Sequence, residues 1–199
     1  MPNFTAADFT AVYPLFAAES GRLLGQAKKY KNDAITIKNG TNACSPSFHL
    51  LSSLAFELFP KVLIGYEIYL KHKDKKSGEI TPEEIRTEIN QSMRQFNHDL
   101  AKLYNHFPDL LKILDIKSIK TFQNPYIWEY RVILNGSDYE IGLKDIEAVR
   151  YGPFANNMDI LTDCQGDYLI IDLLNKLEDY ISRKNVETNI ELKKYFVKD

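Results

Sequence analysis

Apolar residues recur along most of this chain at intervals of three and four, the spacing of one face of a helix. The pattern predicts a first helix from about Asp8 to Tyr30, with Phe9, Val12, Tyr13, Phe16, Ser20, Leu23, Leu24 and Ala27 on its inner face. Thr5 followed by Asp8 resembles a capping box with aspartate in place of glutamate. Pro14 either starts the regular part or kinks it. A polar loop is expected from Lys31 to Pro46, turning at Asn39-Gly40.

A second helix is expected from Phe48 to about His72. Leu51, Leu54, Ala55, Leu58, Val62, Gly65, Tyr66 and Tyr69 form a continuous apolar face, with Ser53, Glu57, Lys61, Glu67 and Lys71 on a narrow polar arc opposite. So wide an apolar face implies burial on most sides, which makes this the central helix of a bundle. Pro60 removes one backbone donor within it and is expected to kink it. After an exposed loop, Thr81-Pro82-Glu83-Glu84 is a helix start: a cap residue, proline at the first position, acids in the first turn. That third helix should run to about Phe96. Asn97 or His98 is then expected to open a fourth, with Leu100, Leu103, Tyr104, Phe107, Leu111 and Leu114 inward and Pro108 as a division.

The pattern changes at Tyr126. Two stretches rich in aromatic and branched residues, Tyr126 to Leu134 and Tyr139 to Leu143, flank Asn135-Gly136 and predict a β-hairpin. A helical turn is expected over Asp145 to Tyr151, an amphipathic helix over Asp167 to Arg183, and a short tail helix over Glu187 to Phe196. No linker or internal repeat divides the chain. Residues 1–199 therefore read as a single, mainly α domain, with the hairpin (about 126–144) as an insertion.

Composition narrows the function classes. The 199 residues are 44% hydrophobic and 26% charged, with a net charge of −2. That excludes a disordered tail and a strongly basic grip on nucleic acid, though not a local basic patch. A chain of this length buries about 70% of its unfolded surface and needs no staples. The two cysteines, Cys44 and Cys164, lie 120 positions apart, so a reducing, cytoplasmic setting is the expectation. The N-terminus lacks the basic start and apolar run of a signal peptide. Leu50 to Leu70, interrupted by Glu57, Lys61 and Glu67, reads as too polar to span a lipid bilayer, so no membrane partner is expected.

No phosphate-cradling glycine motif and no Gly-x-Ser-x-Gly nucleophile elbow is present, and no cofactor is implied. The four histidines contain no His-x-x-x-His pair. His98 and His106 would lie about 12 Å apart along one helix axis, so no metal site is expected. Lys28-Lys29-Tyr30-Lys31 and Lys71-His72-Lys73 with Lys75-Lys76 read as helix C-termini, or alternatively as one phosphate-binding edge. Glu57 and Lys61 are spaced for an ion pair, most simply a structural one on the exposed arc. Arg94 and His98 would share a face of an unbroken helix, a pairing suited to phosphodiester chemistry: histidine moves a proton and arginine stabilises phosphate charge. The simpler reading has Asn97 or His98 capping the fourth helix and Arg94 closing the third.

Three segments together resemble the HEPN family of helical domains. Ala55-Phe-Glu57-Leu-Phe-Pro-Lys61-Val-Leu is similar to its central-helix pattern, His98-Asp99-Leu100-Ala-Lys-Leu103 to its His-Asp-Leu helix start, and Glu147-Ala-Val-Arg150-Tyr151-Gly152-Pro153 to its Arg-Tyr segment before a late helix. Their order fits as well. The resemblance implies a helical bundle that dimerises, often a metal-independent ribonuclease of toxin–antitoxin or antiviral systems, otherwise a nucleotide binder or an inactive partner. Nuclease members carry Arg, four to six residues, then His. Here three residues separate Arg94 from His98, and no histidine follows Arg150. The expectation is therefore a non-catalytic binding domain. Glu57, Lys61, Arg150 and Tyr151 would line a groove beside the central helix for a nucleotide, an RNA segment or an antitoxin-like protein. A metal-independent endoribonuclease using Arg94 and His98, and a structural interaction module, are the alternatives.

Overall fold

The second helix decides the architecture, because nearly every side of it is covered. The computed structural model describes residues 12–40, 46–114, 127–134, 137–144 and 166–196. They form helices α1 (Val12–Gly40), α2 (Pro46–Lys71), α3 (Pro82–Arg94), α4 (Leu100–His106) and α5 (Pro108–Ile113), strands β1 (Ile127–Leu134) and β2 (Ser137–Lys144), and helix α6 (Gly166–Phe196). The described residues are mainly helical. Helices α1, α3, α4 and α6 all pack on α2, and α6 also packs on α1 and α5. Strands β1 and β2 pair antiparallel, with Leu134 opposite Ser137 and Ile127 opposite Lys144. The expected cap at Thr5 and the turn at Asp145 to Tyr151 lie outside the described residues.

Two helices run on where breaks were expected. α1 continues ten residues past Tyr30, into the segment read as a polar loop and over its expected Asn39-Gly40 turn. Its buried stripe of Leu24, Ala27, Lys31, Ala34 and Lys38 keeps helical spacing, but two of its members are lysines. Lysine can bury its four-carbon stem while its ammonium finds a partner. Lys31 donates to the Asn175 side-chain oxygen at 3.0 Å and also pairs with Glu178, both on α6. Lys28 reaches Glu178 at 3.2 Å. The expected basic helix end is therefore a mid-helix seam between α1 and α6.

In the same way α6 is one helix of 31 residues, not a helix and a tail. Its stripe of Ile170, Leu173, Leu174, Leu177 and Ile181 continues through Thr188 and Leu192, both buried. Asn185 sits between Ile181 and Thr188 and donates to the Tyr66 hydroxyl on α2 at 2.6 Å. Burial pushes the Tyr66 phenol up to about 12, against the smaller opposite effect of Asn185.

Helix α3 starts as its sequence predicts. The Glu84 amide donates to the Thr81 hydroxyl oxygen at 3.2 Å, and the Thr81 amide donates to the Glu84 carboxylate at 2.7 Å. The loop before it turns at Gly78, whose φ of +93° favours glycine. Beyond the cap, Glu88 accepts from Lys71 at 2.6 Å and lies 2.8 Å from His72, lashing α3 to the end of α2. Pro108 divides α4 from α5, as expected.

Pro60 lies inside α2. Proline has no N–H, so the carbonyl one turn back, that of Phe56, loses its helical donor. In the structure the buried Tyr104 hydroxyl of α4 donates to the Phe56 carbonyl oxygen at 2.9 Å. By length and composition, Ser47–Lys71 does reach the range of a membrane-crossing helix despite its charges, with a mean hydropathy of 1.3 over an 18-residue window; 72% of that window is buried inside the protein.

Tyr104→Phe should cost about 1–3 kcal/mol, the penalty of an unsatisfied buried acceptor. Adding Pro60→Ala, which restores the helical N–H, should recover part of it. Urea unfolding of both variants checks this; no recovery would refute the pairing. A second expectation concerns acid. Burial opposes ionisation of Glu178, but hydrogen bonds from Lys31 and Lys28 outweigh it and hold its carboxyl below the ordinary range. A lowered folded-state pKa stabilises above the unfolded value, and that gain is lost as pH falls through the folded value. Wild type should therefore lose stability more steeply than Glu178→Gln below the ordinary glutamate range. Parallel acid titrations would reject the linkage.

Candidate functional site

One carboxylate of α2 gathers three of the residues singled out above. Glu57 is only 5% exposed, so it is not on a solvated arc as expected. A buried carboxylate destabilises the fold unless its charge and its lone pairs are met. One oxygen pairs with Lys61 Nζ, one turn along the helix. The other lies 3.0 Å from His98 Nδ1. Lys61 Nζ also donates to the Asn97 carbonyl oxygen at 3.0 Å.

The chain delivers His98 to this point by ending α3 early. The helix stops at Arg94, and the buried Phe96 anchors the following turn in the core. Asn97 has a φ of +48°, a left-handed conformation that asparagine tolerates better than most residues. Asp99, not Asn97 or His98, caps α4: its side chain accepts from the Lys102 amide at 2.8 Å. Aspartate beside the first apolar residue of a helix is a recognisable cap signal, and it releases His98 from that duty.

An ionised carboxylate only accepts, so its neighbour Nδ1 carries the hydrogen in this pairing. A neutral ring paired this way keeps its bare nitrogen at Nε2. The His98 side chain is 61% exposed although one edge rests on buried Glu57. A ring fixed at one nitrogen and open at the other suits proton transfer, or hydrogen bonding to a phosphate oxygen.

Arg94 does not share a helical face with His98, because the helix ends between them and Asn97 turns the chain. It is exposed at the end of α3, and its guanidinium has no ion pair or hydrogen bond among the described residues. Arg150 and Tyr151 lie outside the described residues. The basic run at the end of α2 faces acids: Lys71 and His72 meet Glu88, and Lys73 meets Glu191 at 3.3 Å. Among the described residues no group of three or more His, Cys, Asp or Glu side chains is placed to hold a metal ion.

Sequence reading missed the Asn97 carbonyl, for which no residue-type signal exists. It also missed a cavity of about 430 Å³ between α1, α2 and α3. Gly65, a glycine on the apolar face of the central helix, was the available signal. No protein-family profile matches the chain, and no curated protein or solved structure matches it significantly.

Lys61→Met should destabilise the protein by about 3–5 kcal/mol, because it strips a buried carboxylate of its cation. The Glu57→Leu/Lys61→Met double variant should recover most of that loss, since removing both charges removes the desolvation penalty too. Denaturant midpoints of single and double variants decide; simple additivity would show that the two groups do not act as a pair.

Proposed function

We propose that the chain is a HEPN-like helical binding domain, one elaborated bundle with the hairpin as an insertion. It receives a nucleotide or an RNA segment in a groove beside α2, at the turn carrying His98. The observation that carries this reading is the exposed His98 imidazole, held at Nδ1 by a carboxylate buried in the central helix. Keeping Glu57 charged and buried costs stability, and a merely structural contact would not need an exposed partner. Arg94 supports the reading: an exposed guanidinium with no described partner, at the start of the same turn, suits a phosphate.

A second reading, a metal-independent ribonuclease, is favoured by one specific feature. With Nδ1 on Glu57, a neutral His98 ring would offer Nε2 as a base that takes a proton from a ribose 2′-hydroxyl. Arg94 would stabilise the charge on the phosphate.

Fluorescence anisotropy with labelled single-stranded RNA and with nucleotides, in chelator, tests the first reading. His98→Ala should weaken binding at least about tenfold, the scale of one lost hydrogen bond to a charged group. Arg94→Ala should lower the salt-dependence slope by about one phosphate contact. Unchanged affinity in both variants would sink the proposal. The same samples on a gel test the second. Metal-free cleavage should fall about 10²–10⁴-fold in His98→Ala with the circular dichroism intact; cleavage that survives removes His98 as its base.

A further inference from the structure

The cavity between α1, α2 and α3 shares no residue with the Glu57–His98 cluster. Its floor is unusual for a central helix. Gly65 is buried, yet a Cβ built on it would meet nothing within 4 Å. Glycine inside a helix usually marks a close approach of another backbone or a special φ, and neither is present here. It costs the helix about 1 kcal/mol relative to alanine. What the glycine provides is space.

The walls and the mouth differ in chemistry. Tyr66 and Tyr69 are held edge-on by Phe16, with centroids at 5.7 and 5.2 Å, so the apolar wall is rigid. Ile89 and Met93 of α3 line the cavity too. At the mouth, Glu19 is already committed: it accepts from Arg86 Nε at 2.8 Å and from the Tyr69 hydroxyl at 3.4 Å. Arg22, one turn further along α1, also lines the cavity, and its guanidinium has no described hydrogen bond or ion pair. With two arginines and one glutamate, the lining carries a net charge of +1. A volume of about 430 Å³ lies within the usual range of small-molecule sites.

We propose that this cavity binds a small organic monoanion, a carboxylate on a flat apolar body. The body lies over Gly65 against Tyr66 and Tyr69, and the carboxylate faces Arg22, the cation that Glu19 does not neutralise. A dianion would exceed the available charge. A neutral apolar compound would leave the guanidinium facing it unused.

2-Naphthoate and its uncharged carboxamide are suitable probes, titrated into the full chain and followed by two-dimensional amide NMR and calorimetry. The carboxylate should bind about tenfold or more tightly than the carboxamide, the scale of a charge-assisted hydrogen bond. Shifts should centre on Arg22, Gly65 and Asn90. Arg22→Gln should bring the two affinities together. Gly65→Leu should abolish binding of both; should that variant fail to fold, Gly65→Ala should weaken both and raise the thermal midpoint. Equal affinities in wild type, shifts centred elsewhere, no binding at millimolar probe, or binding indifferent to both Arg22→Gln and Gly65→Ala would each overturn the proposal. None of these outcomes bears on RNA binding at His98.

Discussion

A helix covered on nearly every side cannot leave its polar groups to water, and α2 carries several. Several of them are met by an atom from another element. The Glu57 carboxylate, besides its own-helix partner Lys61, meets His98, and Lys61 meets the Asn97 carbonyl in the α3–α4 turn. The carbonyl orphaned by Pro60 takes a hydrogen from Tyr104 of α4. The Tyr66 hydroxyl takes one from Asn185 of α6. Hydrophobic burial draws the helices together but is non-directional. A buried polar group is demanding about distance and angle, so these four contacts specify which part of the chain lies where along α2.

The same constraint explains what could be read in advance. Stripes of purely apolar residues were legible: the central helix, the divided α4–α5 pair and the capped start of α3 follow directly from spacing and cap chemistry. The errors fall where a polar residue occupies an inward position. Lys31 and Lys38 disguised the second half of α1 as a loop, and Asn185 and Thr188 disguised the continuity of α6. Residue type suggested solvent, while the i+3, i+4 spacing still pointed inward. In each of these helices the spacing was the better guide, because a long or small polar side chain can satisfy its head group and still pack its stem.

The site was half legible for a related reason. Glu57, Lys61 and His98 stood out as residues with chemistry, but two sit on α2 and the third lies 37 positions after Lys61. Their convergence depends on the left-handed turn at Asn97 and on Asp99 taking the capping role. Local pattern put a helix start at Asn97 or His98, and left a face shared by Arg94 and His98 only for an unbroken helix. The break that separates them is what carries His98 to Glu57. Once Asp99 caps α4, Asn97 and His98 are free of backbone duty, and the turn can aim a carbonyl at Lys61 and an imidazole at Glu57 together.

Glu57 and Gly65 are two places where α2 forgoes what would stabilise it most. A leucine at the first and an alanine at the second would suit a buried helix better by elementary measures of burial and propensity. The two concessions differ in kind. At Glu57 the helix keeps a charge, and the charge positions an exposed ring. At Gly65 it keeps a void, and the void is lined by rigid aromatic walls and an uncommitted cation. Glu57 helps to seat the α3–α4 turn through His98, whereas Gly65 seats nothing. The Tyr104 and Asn185 contacts already orient α4 and α6 on α2 without them, and the Thr81 cap with the Glu88 pairs already seats α3. Filling Gly65 would therefore leave the bundle all its directional contacts, and removing Glu57 would forfeit only the one to His98. Beyond them, Glu57 gives the exposed His98 ring a fixed partner, and Gly65 leaves a space beside Tyr66 and Tyr69.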